Sequence, residues 1–417
     1  MTKITTKFLI FIFCICIMFS LFSCTKIKNS DDGYIYSSHS GDGLTSVPGG
    51  FNPDDRSDTD ALEGFPGAII HHEYEELTEN QKIIYDSIKT AAFNLDEFTE
   101  DLGNNCEMTD IDVAFRSFFN DYPACFWVEK SFTLKTSAMD SKIALQYSVT
   151  GTDELDWQKQ ALLDRLNEAN ELINAEMTDF EKELILHNWL LSNIKYDSAA
   201  AEDSDGKFPH AYTAYGAIVL NSAVCEGYSR AMQMLLHMAE VDNYLIYGEV
   251  DVGSHMWNIV EIDEKKYHLD ATWNDPQTAN GEKKISHTFF NVTDEFISKT
   301  HFKFTEPGCV DTDANYFVQK ELFFDDYGEG TREQLTAALT DAIAIKEPYF
   351  EFAFADNDIY NEAYTELFDN DDMFKLVNDA VKDLETDLIK NKLTYSKHDE
   401  DTNTINITFS YGELPAG

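Results

Sequence analysis

In "NSAVCEGYSRAMQMLLHMAE", residues 221–240, Cys225 stands between a loop and a strongly patterned helix. A cysteine that opens a helix has its anion stabilised by the unbonded N–H groups and by the helix dipole, and the thiolate is the form that attacks. His255 follows 30 positions later at the start of a strand-like segment, and Asp270 comes 15 further on, at the end of the next one. An imidazole so placed takes the thiol proton or forms an ion pair with the thiolate. Neighbouring antiparallel strands bring their ends together, so that a carboxylate there holds the imidazole tautomer. Helix first and strands after, with Cys, His and Asp in that chain order, is the plan of a thiol acyl-transfer site. The plain alternative is a buried, inert cysteine with an incidental histidine and aspartate.

The elements that must position these residues are legible as patterns. Tyr228, Ala231, Met232, Leu235 and Leu236 supply an apolar face to the Cys225 helix, and Met234 and Met238 read as packing. "NYLIYGEV", "MWNIVEI" and "KYHLDATW" read as strands, with a turn at Asp263-Glu264-Lys265 before the last. Upstream, Thr178-Asp179-Phe180-Glu181 is a capping box opening a helix whose face includes Phe180, Leu184, Leu191 and Ile194, with His187 as a satisfied core histidine. Helical spacing of Ile84, Ile88 and Ala91, a second helix over 110–120 and the strand-like "CFWVEKSFTLKT" and "KIALQYSVTG" predict a small mixed domain before it. "REQLTAALTDAIA", "DDMFKLVNDAVKDLETDLIK" and "TNTINITFSYGEL" predict helices and a strand in a C-terminal domain without a catalytic constellation.

"SAVCEGYSRAM", "GSHMWNIVEIDEKKYHLDATWND" and "TAYGAIV" together resemble the transglutaminase-like superfamily, in its secreted bacterial branch. The cysteine is followed by Gly227-Tyr228, the histidine by Trp257-Asn258, and the aspartate sits in an Asp-x-Thr-Trp-x-Asp run with Thr272, Trp273 and Asp275. The resemblance is sharp over 178–295, with a departure at Asp242-Asn243, where the family tends to show glycine and an aliphatic residue. It implies an α+β fold with a papain-like/transglutaminase-like core, a catalytic helix packed on an antiparallel sheet, and flanking small α+β domains. It implies Cys225 as nucleophile, His255 as base and then acid, and Asp270 as the orienting carboxylate. The Cys225 N–H and one further donor would hold the oxyanion. Tyr212 or Tyr215 is the candidate for that donor or for a cleft wall, with core packing as the alternative. Trp257 and Trp273 would shield the triad from water, and Glu226 would face substrate. No cofactor and no metal is implied, and no calcium-ligand loop is evident.

The formal net charge of −45 repels polyanions, which excludes nucleic acid as a partner. At the N-terminus, Lys3 and Lys7 precede an apolar run from Phe8 to Phe22, too short for a comfortable membrane span and laid out as a secretory signal. Leu21-Phe22-Ser23-Cys24 resembles the lipobox of bacterial lipoproteins, which makes Cys24 the lipidated first residue after cleavage, although Phe22 is bulky for that place. The expected organisation is a signal peptide (1–23), a lipid-anchored disordered tether (24–70), an N-terminal α+β domain (71–155), a transglutaminase-like catalytic domain (156–305) and a C-terminal α+β domain (306–417). Cys106, Cys125, Cys225 and Cys309 are too few for a disulfide scaffold; Cys106 and Cys125 can pair, but nothing demands it. The chain therefore reads as an extracytoplasmic, membrane-tethered thiol enzyme cleaving or transferring acyl groups of peptide, protein or cell-wall peptide amides through a thioester. The alternatives are a protein-crosslinking transglutaminase and a non-catalytic surface binding protein on the same scaffold.

Overall fold

The computed structural model describes residues 25–28, 34–37, 62, 65 and 72–412, apart from gaps at 104–105, 138–139, 204–205, 279–282, 387, 389–392 and 398–401. The predicted signal peptide, Cys24 and most of the predicted tether lie outside the described residues. The chain is α+β and divides into two compact units: residues 1–262 with 301–305, and residues 263–300 with 306–417. Residues 71–155 and the Cys225 helix fall in the same unit. Among the described residues, no helix is long and apolar enough to cross a membrane.

In the first unit, β1 (Thr25–Lys28) and β2 (Tyr34–Ser37) precede α1 (Glu79–Asn94) and α2 (Met108–Asp121). Next come β3 (Val128–Thr136), β4 (Ser141–Tyr147) and α3 (Thr152–Asn170). The four strands form an antiparallel sheet in the order β1-β2-β3-β4. The first two arise inside the segment expected to be an unstructured tether. The residue types there favour strand: Ile27, Tyr34, Ile35 and Tyr36 are β-branched or aromatic. Thr78 and Gln81 close a capping box at the start of α1, and the expected positions Ile84, Ile88 and Ala91 are all buried. Trp127 Nε1 donates to Ala92 O at 2.9 Å, tying the end of α1 to the start of β3.

The unit continues with α4 (Asp179–Asn193), α5 (Ala214–Ile218), α6 (Cys225–Met238), β5 (Asn243–Val250) and β6 (Gly253–Ile262). The capping box at α4 forms as expected: Glu181 N donates to Thr178 Oγ1 at 3.2 Å, and Thr178 N donates to Glu181 Oε2 at 2.8 Å. His187 is fully buried, with Nδ1 3.0 Å from Asn188 Oδ1, as a satisfied core histidine should be. β5 and β6 are antiparallel, with Ile246 opposite Trp257 and Gly248 opposite His255.

The second unit starts at Asp263 and Glu264, both with positive φ, which turn the chain into β7 (Lys265–Leu269). Farther on come α7 (Glu329–Ala344), β8 (Tyr349–Phe354), α8 (Asn357–Tyr364), α9 (Asp372–Ala380), β9 (Thr394–Lys397) and β10 (Thr404–Thr408). β10, the alternating segment read as a strand, lies between β8 and β9 and is antiparallel to both. Leu335, Leu339 and Ile343 of α7, Phe352 of β8 and Ile405 and Ile407 of β10 form one buried apolar cluster.

Candidate active site

Val224 is extended (φ −95°, ψ 179°) and hands the chain to α6, so Cys225 is the first helical residue, with no side-chain cap over the helix start. Val224 N donates to Ala211 O at 3.0 Å, which lays the 209–212 turn against that start. A Cβ on residue 227 would come within 2.5 Å of the same Ala211 oxygen, so the glycine two places after the cysteine is a packing requirement. α6 is buried on every side from Cys225 to Leu236, including the polar Ser229, Arg230 and Gln233. Such a helix tolerates polar side chains only where each finds a partner. Gln233 Nε2 donates to Asn120 O at 3.1 Å, and Arg230 donates to Phe119 O and Asn120 Oδ1.

Ser229, one turn beyond Cys225, docks the histidine strand. Its Oγ lies 2.9 Å from Cys225 O and 2.8 Å from Met256 O, and Asn258 Nδ2 donates to Ser229 O at 3.0 Å. Residues 256 and 258 bracket Trp257, so both bonds fall beside His255 on β6. The His255 ring is 2% exposed and stacks on Trp257, with centroids 5.8 Å apart. His301 packs against both rings, its centroid 5.3 Å from His255 and 4.8 Å from Trp257. His301 is brought there by Glu249 and Phe302, which exchange backbone hydrogen bonds at 2.7 and 2.6 Å. Gly248 makes room for that crossing, since a Cβ there would lie 2.7 Å from Phe302 O and from Trp257 Cη2.

Asp270 belongs to the second unit, directly after β7, and is fully buried. Its Oδ1 accepts from the N–H groups of Thr272 (2.9 Å) and Trp273 (3.1 Å), and its own N–H donates to Phe289 O at 3.0 Å. Two donors on one oxygen fix the rotamer of the carboxylate. Trp273 is half-buried and meets Phe289 edge-on at 5.0 Å. Asn274 Oδ1 accepts from Phe289 N at 2.9 Å, and Asp275 pairs with Lys283 at 2.6 Å, so the run after Asp270 is a braced turn.

Glu226 differs from expectation. It does not face outward: it is 4% exposed, with its carboxylate paired to Lys130 Nζ and, at 2.9 Å, to Arg230 Nε. Burial opposes its ionisation, yet Lys130 and Arg230 outweigh burial and hold the carboxyl below the ordinary glutamate range. Lys130, on β3, also lies over the Tyr212 ring at 4.9 Å, and the Tyr212 hydroxyl donates to Ala200 O at 3.2 Å. Tyr215 is 2% exposed and stacked on Phe126 at 4.3 Å, in the core. Sequence reasoning missed Lys130, Arg230 and His301. The spacing of Glu226 and Arg230, four positions along a helix, was the one available signal.

In chemical terms, the first unit offers a thiol at an uncapped helix start and an imidazole on a strand bonded to that helix. The second offers an anchored carboxylate. Residues 167–271 match the model of the transglutaminase-like superfamily, a span that contains Cys225, His255 and Asp270. The chain thus carries a transglutaminase-like domain, of a superfamily that covers cysteine protease and acyltransferase chemistry. Among solved structures it is similar to a TGase, with 13% identity and a TM-score of 0.26 over 34% of this chain and 44% of that one. It is also similar to a candidate cysteine protease from Cytophaga hutchinsonii, with 14% identity and a TM-score of 0.22 over 37% of this chain and 60% of that one. It therefore spans less than two thirds of either structure's length. No curated protein is significantly similar to it in sequence.

Proposed function

We propose that the protein is an extracytoplasmic thiol enzyme that opens peptide or isopeptide amides through a Cys225 thioester. The observation that carries this reading is the docking of the Cys225 helix onto the His255 strand through Ser229 and Asn258, inside the segment that matches the superfamily model. His255 takes the Cys225 thiol proton, and the thiolate adds to the amide carbonyl carbon. The Cys225 N–H donates to the resulting oxyanion together with one further donor. Collapse breaks the C–N bond, His255 returns the proton to the leaving amine, and the acyl group remains on sulfur. Water then gives a proton to His255 and attacks the thioester, releasing acid and thiol; an amine in place of water gives the transfer product. Asp270 holds the imidazole in the tautomer both half-reactions need. Hydrolysis of peptides, proteins or cell-wall stem peptides fits an enzyme facing the outside of the cell better than crosslinking does.

The reading is tested by screening wild type and Cys225→Ala on quenched peptides and for incorporation of a labelled amine, with iodoacetamide labelling alongside. Burial pushes the Cys106 thiol up to about 11, with Asp110 adding to it, and Cys309 up to about 12, with Asp294 adding to it. Complete burial raises Cys125 as well. These three thiols are protonated at neutral pH and slow to alkylate. Labelling at pH 7 is expected to fall on Cys225, with turnover lost in Cys225→Ala. Even, sluggish labelling and no turnover of any amide would favour the non-catalytic scaffold.

The second part of the proposal is a lipid anchor on Cys24, motivated by the leader and the Leu21-Phe22-Ser23-Cys24 motif. Cys24→Ala should move the protein from the membrane fraction to the soluble fraction, since a protein without the acyl chain loses most of its bilayer affinity. An unchanged membrane fraction would defeat the anchor.

A further inference from the structure

The second unit holds a cluster that the proposed reaction does not use. His268 lies on β7, Asp294 opens the helical turn Asp294–Ile297, and Cys309 follows Gly308. One ligand atom from each (an imidazole nitrogen, a carboxylate oxygen and a thiol sulfur) lies within 4.8 Å of the other two. His268 Nε2 is 2.8 Å from Asp294 Oδ1. His268 and Cys309 are 0% and 1% exposed, whereas the Asp294 side chain keeps 14%, which leaves the cluster a route to solvent.

The backbone fixes all three. His268 and Val292 exchange hydrogen bonds at 2.9 Å each way, Asp294 N donates to Cys309 O at 2.8 Å, and Gly308 N donates to Asp294 Oδ2 at 3.1 Å. Gly308 has φ +86°, a conformation that favours glycine, and it delivers Cys309 to Asp294. The ligand atoms are thus carried by cross-bonded segments. Binding an ion needs little reorganisation of the chain.

The donor set is chemically selective. Calcium and magnesium take oxygen ligands, whereas a thiolate with an imidazole suits zinc and its neighbours. A tetrahedral ion with bonds of about 2.0–2.3 Å sets its ligand atoms about 3.3–3.8 Å apart, which a cluster already this tight reaches through side-chain adjustment alone.

We propose that His268, Asp294 and Cys309 bind one zinc-class divalent cation, with water as the fourth ligand. On binding, Cys309 gives its S–H proton to solvent, and Asp294 coordinates as the carboxylate. Before binding, the His268 Nε2–H donates to Asp294 Oδ1. On binding, that single ring proton shifts to Nδ1 and Nε2 offers its lone pair, so the net loss is the one proton from Cys309 for each ion bound. The ion joins β7 to the 294 and 309 segments. Because His268 precedes Asp270 by two residues, it also stiffens the strand that leads to the carboxylate. Metal binding by these side chains does not depend on catalysis by Cys225.

The test is titration of the chelator-stripped full chain with Co²⁺ alone. A thiolate-to-cobalt charge-transfer band saturating at one equivalent is expected in wild type and in Cys225→Ala. It should be absent in Cys309→Ser, weakened in Asp294→Asn, and abolished by added Zn²⁺. No band in wild type overturns the proposal, and so does a band that survives Cys309→Ser. A band lost in Cys225→Ala would place the metal at the other thiol and overturn it too. Asp294→Asn retains a side-chain oxygen that accepts from Gly308, so it remains informative if Cys309→Ser does not fold.

Discussion

Asp270→Asn is expected to lower kcat by about 10⁴-fold while leaving the folded protein nearly as stable as wild type, the loss seen when a triad carboxylate is replaced by its amide. The two effects separate because of how Asp270 is held. Its Oδ1 accepts from Thr272 N and Trp273 N, and an asparagine oxygen accepts the same two bonds. What disappears is the negative charge and, under the proposed mechanism, the stabilisation of the imidazolium and the preference for the productive tautomer that come with it. Cys225→Ala and His255→Gln should each abolish turnover, and the double variant should be no worse than either alone, because in the proposed mechanism the groups act as a unit. Thermal midpoints would be recorded beside kcat on the amide found by screening. An Asp270→Asn enzyme within tenfold of wild type would mean that His255 is oriented by another group.

What could be read in advance follows from which interactions are local in sequence. Cys225 at a helix start, the apolar face of that helix, the capping box at Thr178 and the His255 strand all depend on residues within a few positions of one another, and each is where the sequence places it. Glu226 shows where local spacing stops being informative. A glutamate beside a nucleophile reads as substrate-facing because burying a carboxylate alone is costly. Lys130 offsets that cost from a strand 96 positions earlier, and no spacing rule connects the two. His301 is hidden for the same reason: it reaches His255 through the Glu249 and Phe302 backbone bonds, which leave no periodic trace. β1 and β2 are the opposite case, since eight residues with strand-forming side chains among them sit inside an otherwise polar, glycine-rich segment.

Glu226→Ala should destabilise the first unit by about 3–5 kcal/mol, the cost of stranding a buried charge by removing its partner. Arg230 is the charge left stranded: its side chain is 5% exposed and already committed to Phe119 O and Asn120 Oδ1, so it cannot turn to water. Lys130, with 39% of its side chain exposed, can. Glu226→Gln keeps one acceptor oxygen, enough for Arg230 or Lys130 but not for both, and loses the charge, so its cost should be intermediate. The difference between Glu226→Gln and wild type should also depend on pH with a definite sign. Because the folded-state carboxyl is held below its ordinary value of 4.5, its contribution is present in full above that value and is lost as pH falls through the folded-state value. Urea unfolding curves at pH 7 and pH 4 should therefore lie further apart for wild type than for Glu226→Gln. Replacing Glu226, Arg230 and Lys130 together by leucine and methionine should recover much of the loss, since a well-packed apolar cluster substitutes for a buried ion pair at little cost. If Glu226→Ala unfolds at the wild-type urea midpoint, the buried pair contributes nothing, and β3 and the Cys225 helix are held together by apolar packing alone.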